Sequence, residues 1–384
     1  MDMLTTRRSF LCGSVAFASV GFRSLRVPDS YSIALLGDLH FDAQPESVYH
    51  EHYDESNRCA KVQHEEFRRN GEMWRRRCRE MIAASGALSK ERPTDMVLQL
   101  GDLVQGDCDD PVVHRRMLAD CMNLLQGYYR GDVPVLTVIG NHDIRGKGAL
   151  QAYKSFTRAH MSRALGIAFD YPVSAFRYGR DLWIFCDFEI RDLAPLLDVF
   201  EREKTARYTF LVTHGPFTTQ DNWSFRWRLG GSKECEKLRP KLYEALSRRH
   251  AIVLSGHTHE VAWCQHENRF GGFSEFTANS VWERQDQATA KALKEGKEQY
   301  GEDLLHLRKG AALADFKSEL DFFRPGLKGY FMNHGAGHYR LNVSDQKVVI
   351  EFYPGSSMTC QRTFALARWS AQKSLGSGPE KTSF

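Results

Sequence analysis

Several common architectures are missing from this 384-residue chain. The apolar stretch near its N-terminus, Cys12 to Val20, is far short of the ~20 residues that cross a bilayer, so it does not suit an anchor. No basic stripe is present. The formal net charge is only +4, and Lys and Arg are interleaved with Asp and Glu, which argues against a duplex nucleic-acid partner. Nine cysteines occur, but none share C-x-x-C spacing, so a structural zinc knuckle is not expected. No internal repeat is seen. What remains is a chain with 42% hydrophobic residues, able to bury a full core as one large α/β domain or one with a small annex.

The N-terminus reads as an address. Thr6-Arg7-Arg8-Ser9-Phe10-Leu11 pairs two arginines ahead of the small apolar stretch, and Ala16-Phe17-Ala18 offers a small-x-small cleavage site. Residues 1–25 are therefore expected to be a removed leader of the twin-arginine type. Such a leader implies bacterial export of a folded, metal-loaded protein to the periplasm or beyond. Cys12 would leave with it. The other eight cysteines permit disulfides in an exported protein, though a core of this size does not require them. Cys186, inside an apolar run, reads as a buried thiol.

Beyond the leader, apolar runs alternate with helical periodicity. Tyr31–Leu36, Met96–Leu100, Val133–Ile139, Leu182–Cys186, Tyr208–Thr213 and Ala251–Ser255 read as strands buried on both faces. Helices are expected near 61–88, 112–125, 150–165, 193–204 and 234–249, with Asp192 as the N-cap of the fourth. This order argues for a layered α/β sandwich. After residue 259, Phe273–Ala278, Tyr339–Val343 and Lys347–Tyr353 alternate like half-exposed antiparallel strands. A helical insert is expected near 283–321. The domain is taken as 26–360, and 361–384 as a tail whose Ser-, Gly- and Lys-rich end is disordered.

Five short motifs follow the strands in order: Gly37-Asp38-Leu39-His40, Gly101-Asp102, Gly140-Asn141-His142-Asp143, Thr213-His214-Gly215 and Gly256-His257-Thr258-His259. Loops at the carboxyl ends of parallel strands form the ligand crevice of an open α/β sheet. Asp38 and His40 are two residues apart, as are His257 and His259, so each pair can turn toward one ion. Asp102 stands alone and central, the natural carboxylate to share between two ions. Asn141 adds a neutral oxygen. Mixed nitrogen and oxygen ligation suits Mn, Fe, Zn or Co better than Ca. Two such ions about 4 Å apart lower the pKa of a bridging water and clamp the oxygens of an in-line displacement.

In this order the motifs resemble those of the calcineurin-like metallophosphoesterase superfamily, over roughly residues 31 to 280. The resemblance implies a four-layer α/β/β/α sandwich with a dinuclear site at the strand ends. It assigns one ion to Asp38, His40, Asp102 and His259, and the second to Asp102, Asn141, His214 and His257. His142 would protonate or stabilise the leaving group, with Asp143 orienting it. The implied activity is hydrolysis of a small phosphoester by a bridging hydroxide, leaning to diesters. A phosphomonoesterase, or a silent module of the same fold, is the alternative.

Departures narrow the subfamily. Gln105 stands where purple acid phosphatases carry a tyrosine ligand, and Gln105-Gly106-Asp107 does not match the Asp-Arg-Gly of protein Ser/Thr phosphatases. The chain shows no long C-terminal substrate domain of the kind expected of a periplasmic nucleotidase. His50, His52 and His64 are read as solvated. Asp107, Asp109 and Asp110 are read as a solvated acidic loop, and the Gly-rich stretch from His334 to His338 as a turn opening a strand. Trp223, Arg226, Trp227 and Arg228 suit either a lip over the substrate or a packed loop.

Overall fold

The computed structural model describes residues 24–25, 29–42, 70–108, 110–188, 190–281, 293–301 and 311–368. Most of the leader, His50, His52, His64, Asp109, much of the insert and the end of the tail lie outside these residues.

Fifteen strands occur among the described residues: β1 Ser24–Leu25, β2 Tyr31–Leu36, β3 Met96–Gln99, β4 Val135–Thr137, β5 Val173–Tyr178, β6 Asp181–Cys186, β7 Thr209–Thr213, β8 Ile252–Ser255, β9 Val261–Asn268, β10 Gly271–Thr277, β11 Leu293–Glu295, β12 Leu327–Asn333, β13 Gly337–Val343, β14 Lys347–Pro354 and β15 Arg362–Arg368. They form two sheets. One has the order β15-β14-β13-β2-β3-β4, the other β1-β5-β6-β7-β8-β10-β9-β12-β11. Parallel pairing joins β2 to β3 and β3 to β4 in the first sheet, and β6 to β7 and β7 to β8 in the second.

Side-chain alternation along these strands divides the core. Ile33 and Leu35 of β2 pack between the sheets with Trp183 and Phe185 of β6 and Phe210 of β7. Their neighbours Ala34 and Leu36 instead meet Met81, Ile82, Met117 and Leu118 of the helices Arg79–Glu91 and Pro111–Tyr128. Leu182, Ile184 and Cys186 face Leu196 and Leu242 of the helices Ala194–Arg202 and Arg239–Arg248. Each sheet is thus covered on both faces, as the near-continuous apolar runs require. The result is the four-layer α/β/β/α sandwich. Trp183 stacks on Phe210 with ring centroids 4.1 Å apart, and truncating such a side chain to Ala costs ~3–5 kcal/mol.

Several boundaries differ from the sequence reading. Strand β1 pairs with β5, so the fold begins before residue 26, and cleavage after Ala18 would retain it. Strand β15 pairs with β14, so residues 362–368 belong to the sheet, not to a tail. The insert is not wholly helical, because Leu293–Glu295 pairs with β12 ahead of the helix Ala311–Phe323. Strands β5, β9 and β12 were not expected. β9 carries the exposed Gln265 and Glu267 on alternate positions, and β12 contains a bulge between Leu327 and Gly329, so neither reads as an apolar run. Asp192 stands one residue ahead of the N-cap, which is Leu193, and its carboxylate accepts from the Ala194 amide at 2.9 Å.

Candidate metal centre

The loops after β2, β3, β4, β7 and β8 meet at one edge of the sandwich, joined by main-chain hydrogen bonds. The amides of Leu39 and His40 both donate to Asp102 O, at 3.0 and 2.9 Å, and Gly256 N donates to His214 O at 2.9 Å. Turning out of a strand so abruptly places His40, Asp102, His257 and His259 at φ between +46° and +73°. Such left-handed backbone costs non-glycine residues on the order of 1 kcal/mol each and clusters at functional sites. Two glycines make room. A Cβ on Gly101, itself at φ +89°, would lie 2.5 Å from His214 Nδ1, and one on Gly256 would collide with Asp38 Oδ1.

The seven side chains expected as ligands come together. Asp38, His40 and His259 bring one donor atom each within 4.8 Å of one another, and Asp102, His214 and His257 do the same. Asp102 Oδ2 sits 3.6 Å from His40 Nε2 and 3.3 Å from His214 Nε2. It therefore lies between the two groups. Asn141 Oδ1 joins the second, 3.1 Å from His214 Nε2. Asp38, Asp102 and His214 are fully buried or nearly so, whereas His259 retains 32% side-chain exposure. The centre opens on that side.

The hydrogen bonds fix which nitrogens are free. Leu100 O can only accept, so His214 Nδ1, 2.8 Å away, carries the proton. Gln105 Oε1 likewise accepts from His40 Nδ1 at 2.9 Å and also from Asn70 Nδ2. The Nε2 atoms of both rings then point inward. His40 Nε2 faces His259 Nε2 at 3.0 Å, and His214 Nε2 faces His257 Nδ1 at 3.0 Å. Four imidazole nitrogens and two buried carboxylates thus face one another across a small space, a mixed donor set that fits a metal. Burial resists a charge on His214, but Asp102 and Asp38 hold its pKa up at about 9. Burial and the neighbouring His214 push His257 well below the usual range.

Sequence reasoning missed the supports behind these ligands. Trp74 is fully buried and its Nε1 donates to Leu39 O and His40 O, at 3.0 and 2.7 Å. It sits in a helical segment with no local motif, so nothing near it in the sequence marks it. Gln105 was noted only as the wrong residue for a tyrosine ligand.

Two expectations need correction. Asp143 does not orient His142. Its carboxylate accepts from the amides of Gly140 and Val104, at 2.8 and 3.1 Å, because a fully buried carboxylate takes the nearest donors. Burial and the nearby Asp102 raise its pKa well above the carboxylate range. Nor is the segment after Gly106 a solvated acidic loop. Asp107 is largely buried and pairs with Arg145 Nε at 2.9 Å, while Asp110 caps the helix Pro111–Tyr128.

His142 stands beside the shared carboxylate, its amide 2.7 Å from Asp102 Oδ1 and its ring 4.4 Å from that of His40. Burial lowers its pKa to about 4, with Arg145 adding to the effect. On the opposite side, Phe188 lies 5.5 Å from the rings of both His214 and His257. Trp227, 38% exposed, is 5.9 Å from His257. It therefore forms a lip, whereas Arg228 packs away on Phe225 and Glu319. His334 pairs with Glu260 Oε1 at 3.0 Å, and β13 opens at Gly337 as the Gly-rich turn implied.

A buried Asp and His cluster at the strand ends of a two-sheet sandwich is a divalent-metal site of a hydrolytic kind. Residues 31–261, more than half the chain, match the calcineurin-like phosphoesterase family, and the chain belongs to it. No curated protein matches the sequence. Among solved structures it is similar to "PhoD", at 11% identity and a TM-score of 0.46, covering 90% of this chain and 73% of that one. It is also similar to the purple acid phosphatase PPD1 of yellow lupin (Lupinus luteus) seeds, at 10% and 0.46, covering 88% and 54%. A dimetal phosphatase from Danio rerio aligns at 10% and 0.48, covering 88% and 99%. Family and donor set together support a metal-dependent phosphoesterase.

Proposed function

We propose that the chain is a hydrolase of small phosphoesters that works with two metal ions sharing Asp102, and that diesters are its preferred class. The observation carrying this reading is the inward convergence of donor atoms in three overlapping groups, two of which contain the Asp102 carboxylate. Ions bound there would lower the pKa of a water and withdraw charge from the phosphoryl oxygens. Mn, Fe, Zn and Co all suit the mixed donor set.

The chain's own residues supply the rest. Asp38 and Asp102 hold negative charge where it offsets the ions, Leu100 O and Gln105 fix the ring tautomers, and Phe188 with Trp227 walls off one side from water. Among the described residues the one cationic side chain against His142 is Arg145, and it is paired with Asp107. That balance suits a singly charged diester better than a doubly charged monoester. The test is turnover of bis(4-nitrophenyl) phosphate against 4-nitrophenyl phosphate after loading with each metal. Faster turnover of the monoester would reverse the assignment.

We also propose that the protein is exported through the twin-arginine route of a bacterium and acts in the periplasm. Support comes from the Arg7-Arg8 pair and the small-residue site ending at Ala18.

A further inference from the structure

Arg145 lies three residues beyond His142, and its guanidinium is set against that ring. Nε pairs with Asp107 Oδ1 at 2.9 Å, and Nη1 lies 2.7 Å from His142 Nε2 and 3.1 Å from Nδ1, which sets the guanidinium over the ring. Its Nη2 atom has no hydrogen-bond partner among the described residues. The anchor is buried and the head is not, since the side chains of Asp107 and Arg145 are 6% and 31% exposed.

The loops beneath are rigidly joined. Asp107 N donates to Arg145 O at 3.1 Å and Arg145 N to His142 O at 3.2 Å. Gly106 packs so closely on His142 O that no Cβ would fit. An arginine held this way keeps one orientation, and a guanidinium that is pre-organised loses little entropy on binding.

The ring of His142 decides what Arg145 can do. Gln105 O, 2.8 Å from Nδ1, can only accept, so the imidazole carries its proton there. Arg145 Nη1 lies over the face of this ring, 2.7 Å from Nε2 and 3.1 Å from Nδ1, so the imidazole supports the guanidinium without taking up its outer N–H groups. On this side of Asp102 the guanidinium therefore keeps free N–H donors. Phosphoester oxygens are acceptors and bind charged N–H donors well.

We propose that Arg145 is a substrate-contacting residue, donating from its free N–H groups to an oxygen of the phosphoester, and that His142 is the positioning residue that aims it. This rests on the phosphoesterase reading given above. It adds to that reading a second group, beside the imidazole, that meets the phosphoester oxygens.

The experiment uses the full metal-loaded protein with inorganic phosphate as the probe. Arg145→Ala should keep the metal content of the parent, read by elemental analysis. It should weaken phosphate binding, read by calorimetry, on the order of 10- to 100-fold, the range of a hydrogen bond to a charged group. KM for bis(4-nitrophenyl) phosphate should rise to match. Arg145→Lys should recover only part, because the fork is lost. His142→Ala should weaken phosphate in the same way, and the double variant should be no worse than the worse single variant.

Unchanged phosphate affinity and kinetics in Arg145→Ala, or loss of metal, would overturn the proposal. So would additive losses in the double variant. Should the variants fold poorly, modification of the parent by phenylglyoxal gives an independent reading. Phosphate should protect Arg145 in the mapped peptides, and equal modification with and without phosphate would refute the contact. If the metal-loaded parent neither binds phosphate nor turns over either ester, the phosphoesterase reading itself has failed.

Discussion

Gln105 Oε1 lies 2.9 Å from His40 Nδ1 and at the same time accepts from Asn70. One amide oxygen thereby fixes the tautomer of a ring whose other nitrogen faces the metal donors. A residue that the sequence marked only as the wrong type for a tyrosine ligand thus acts one bond further out.

Gln105→Leu should consequently leave the ligand set intact but let the His40 ring reorient. Loss of such a support costs ~10–100-fold in metal affinity. Competition with a chelator, followed metal by metal, should show one of two bound ions weakened in the variant. Parent-like affinity for both would show that Trp74 and the backbone alone hold His40.

Asp102→Asn removes the charge shared by both groups of donors, where His40 Nε2 and His214 Nε2 lie 3.6 and 3.3 Å from the same oxygen. Both ions should weaken together and turnover should fall to near background. Asp38→Asn, by contrast, touches mainly the group with His40 and His259. Elemental analysis of the two variants side by side tests the sharing, and retention of two tight ions in Asp102→Asn would rule it out.

The export proposed above would depend on the leader. Arg7→Lys combined with Arg8→Lys should leave a folded, metal-loaded protein in the cytoplasm, since the sandwich begins only at Ser24, beyond the substituted arginines. Fractionation and N-terminal sequencing report the result. A variant that still reaches the periplasm and is cut after Ala18 would show that the paired arginines are not the signal.

The parallel half of each sheet was legible because those strands are buried on both faces and so are apolar throughout. The ligands were legible for a related reason: each follows its strand within a few residues, so local order along the chain preserves proximity in space. Strands such as β9 and β12 were hidden because the pattern of a strand exposed on one face is diluted by residues like Glu267 and Lys328. Trp74, Asn70 and Arg145 were hidden for another reason. Their roles come from hydrogen bonds to residues 34, 35 and 38 positions away along the chain, or from a turn that brings Asp107 back to Arg145. Asp143 misled because adjacency in sequence placed it beside His142, while burial turned it to the amides of Gly140 and Val104.

Stability should fall on the acid side through a histidine far from the metal donors. His266 is 1% exposed and stacks on Phe273 with centroids 4.8 Å apart, and neither ring nitrogen finds a hydrogen-bond partner. Burial depresses its pKa from 6.5 to about 3. In the unfolded chain the same ring takes up a proton near 6.5. Between those values the unfolded state binds more protons than the native state, so stability decreases as pH falls through that window and levels off below about 3. From about pH 7 to pH 5 the loss amounts to about 2 kcal/mol for this one group. His266→Phe keeps the aromatic stack, removes two unpartnered polar atoms and cannot titrate. Its urea midpoint should exceed that of the parent at both pH values, and the gap should widen at pH 5. A gap that stays constant with pH would mean that His266 does not remain neutral in the native protein.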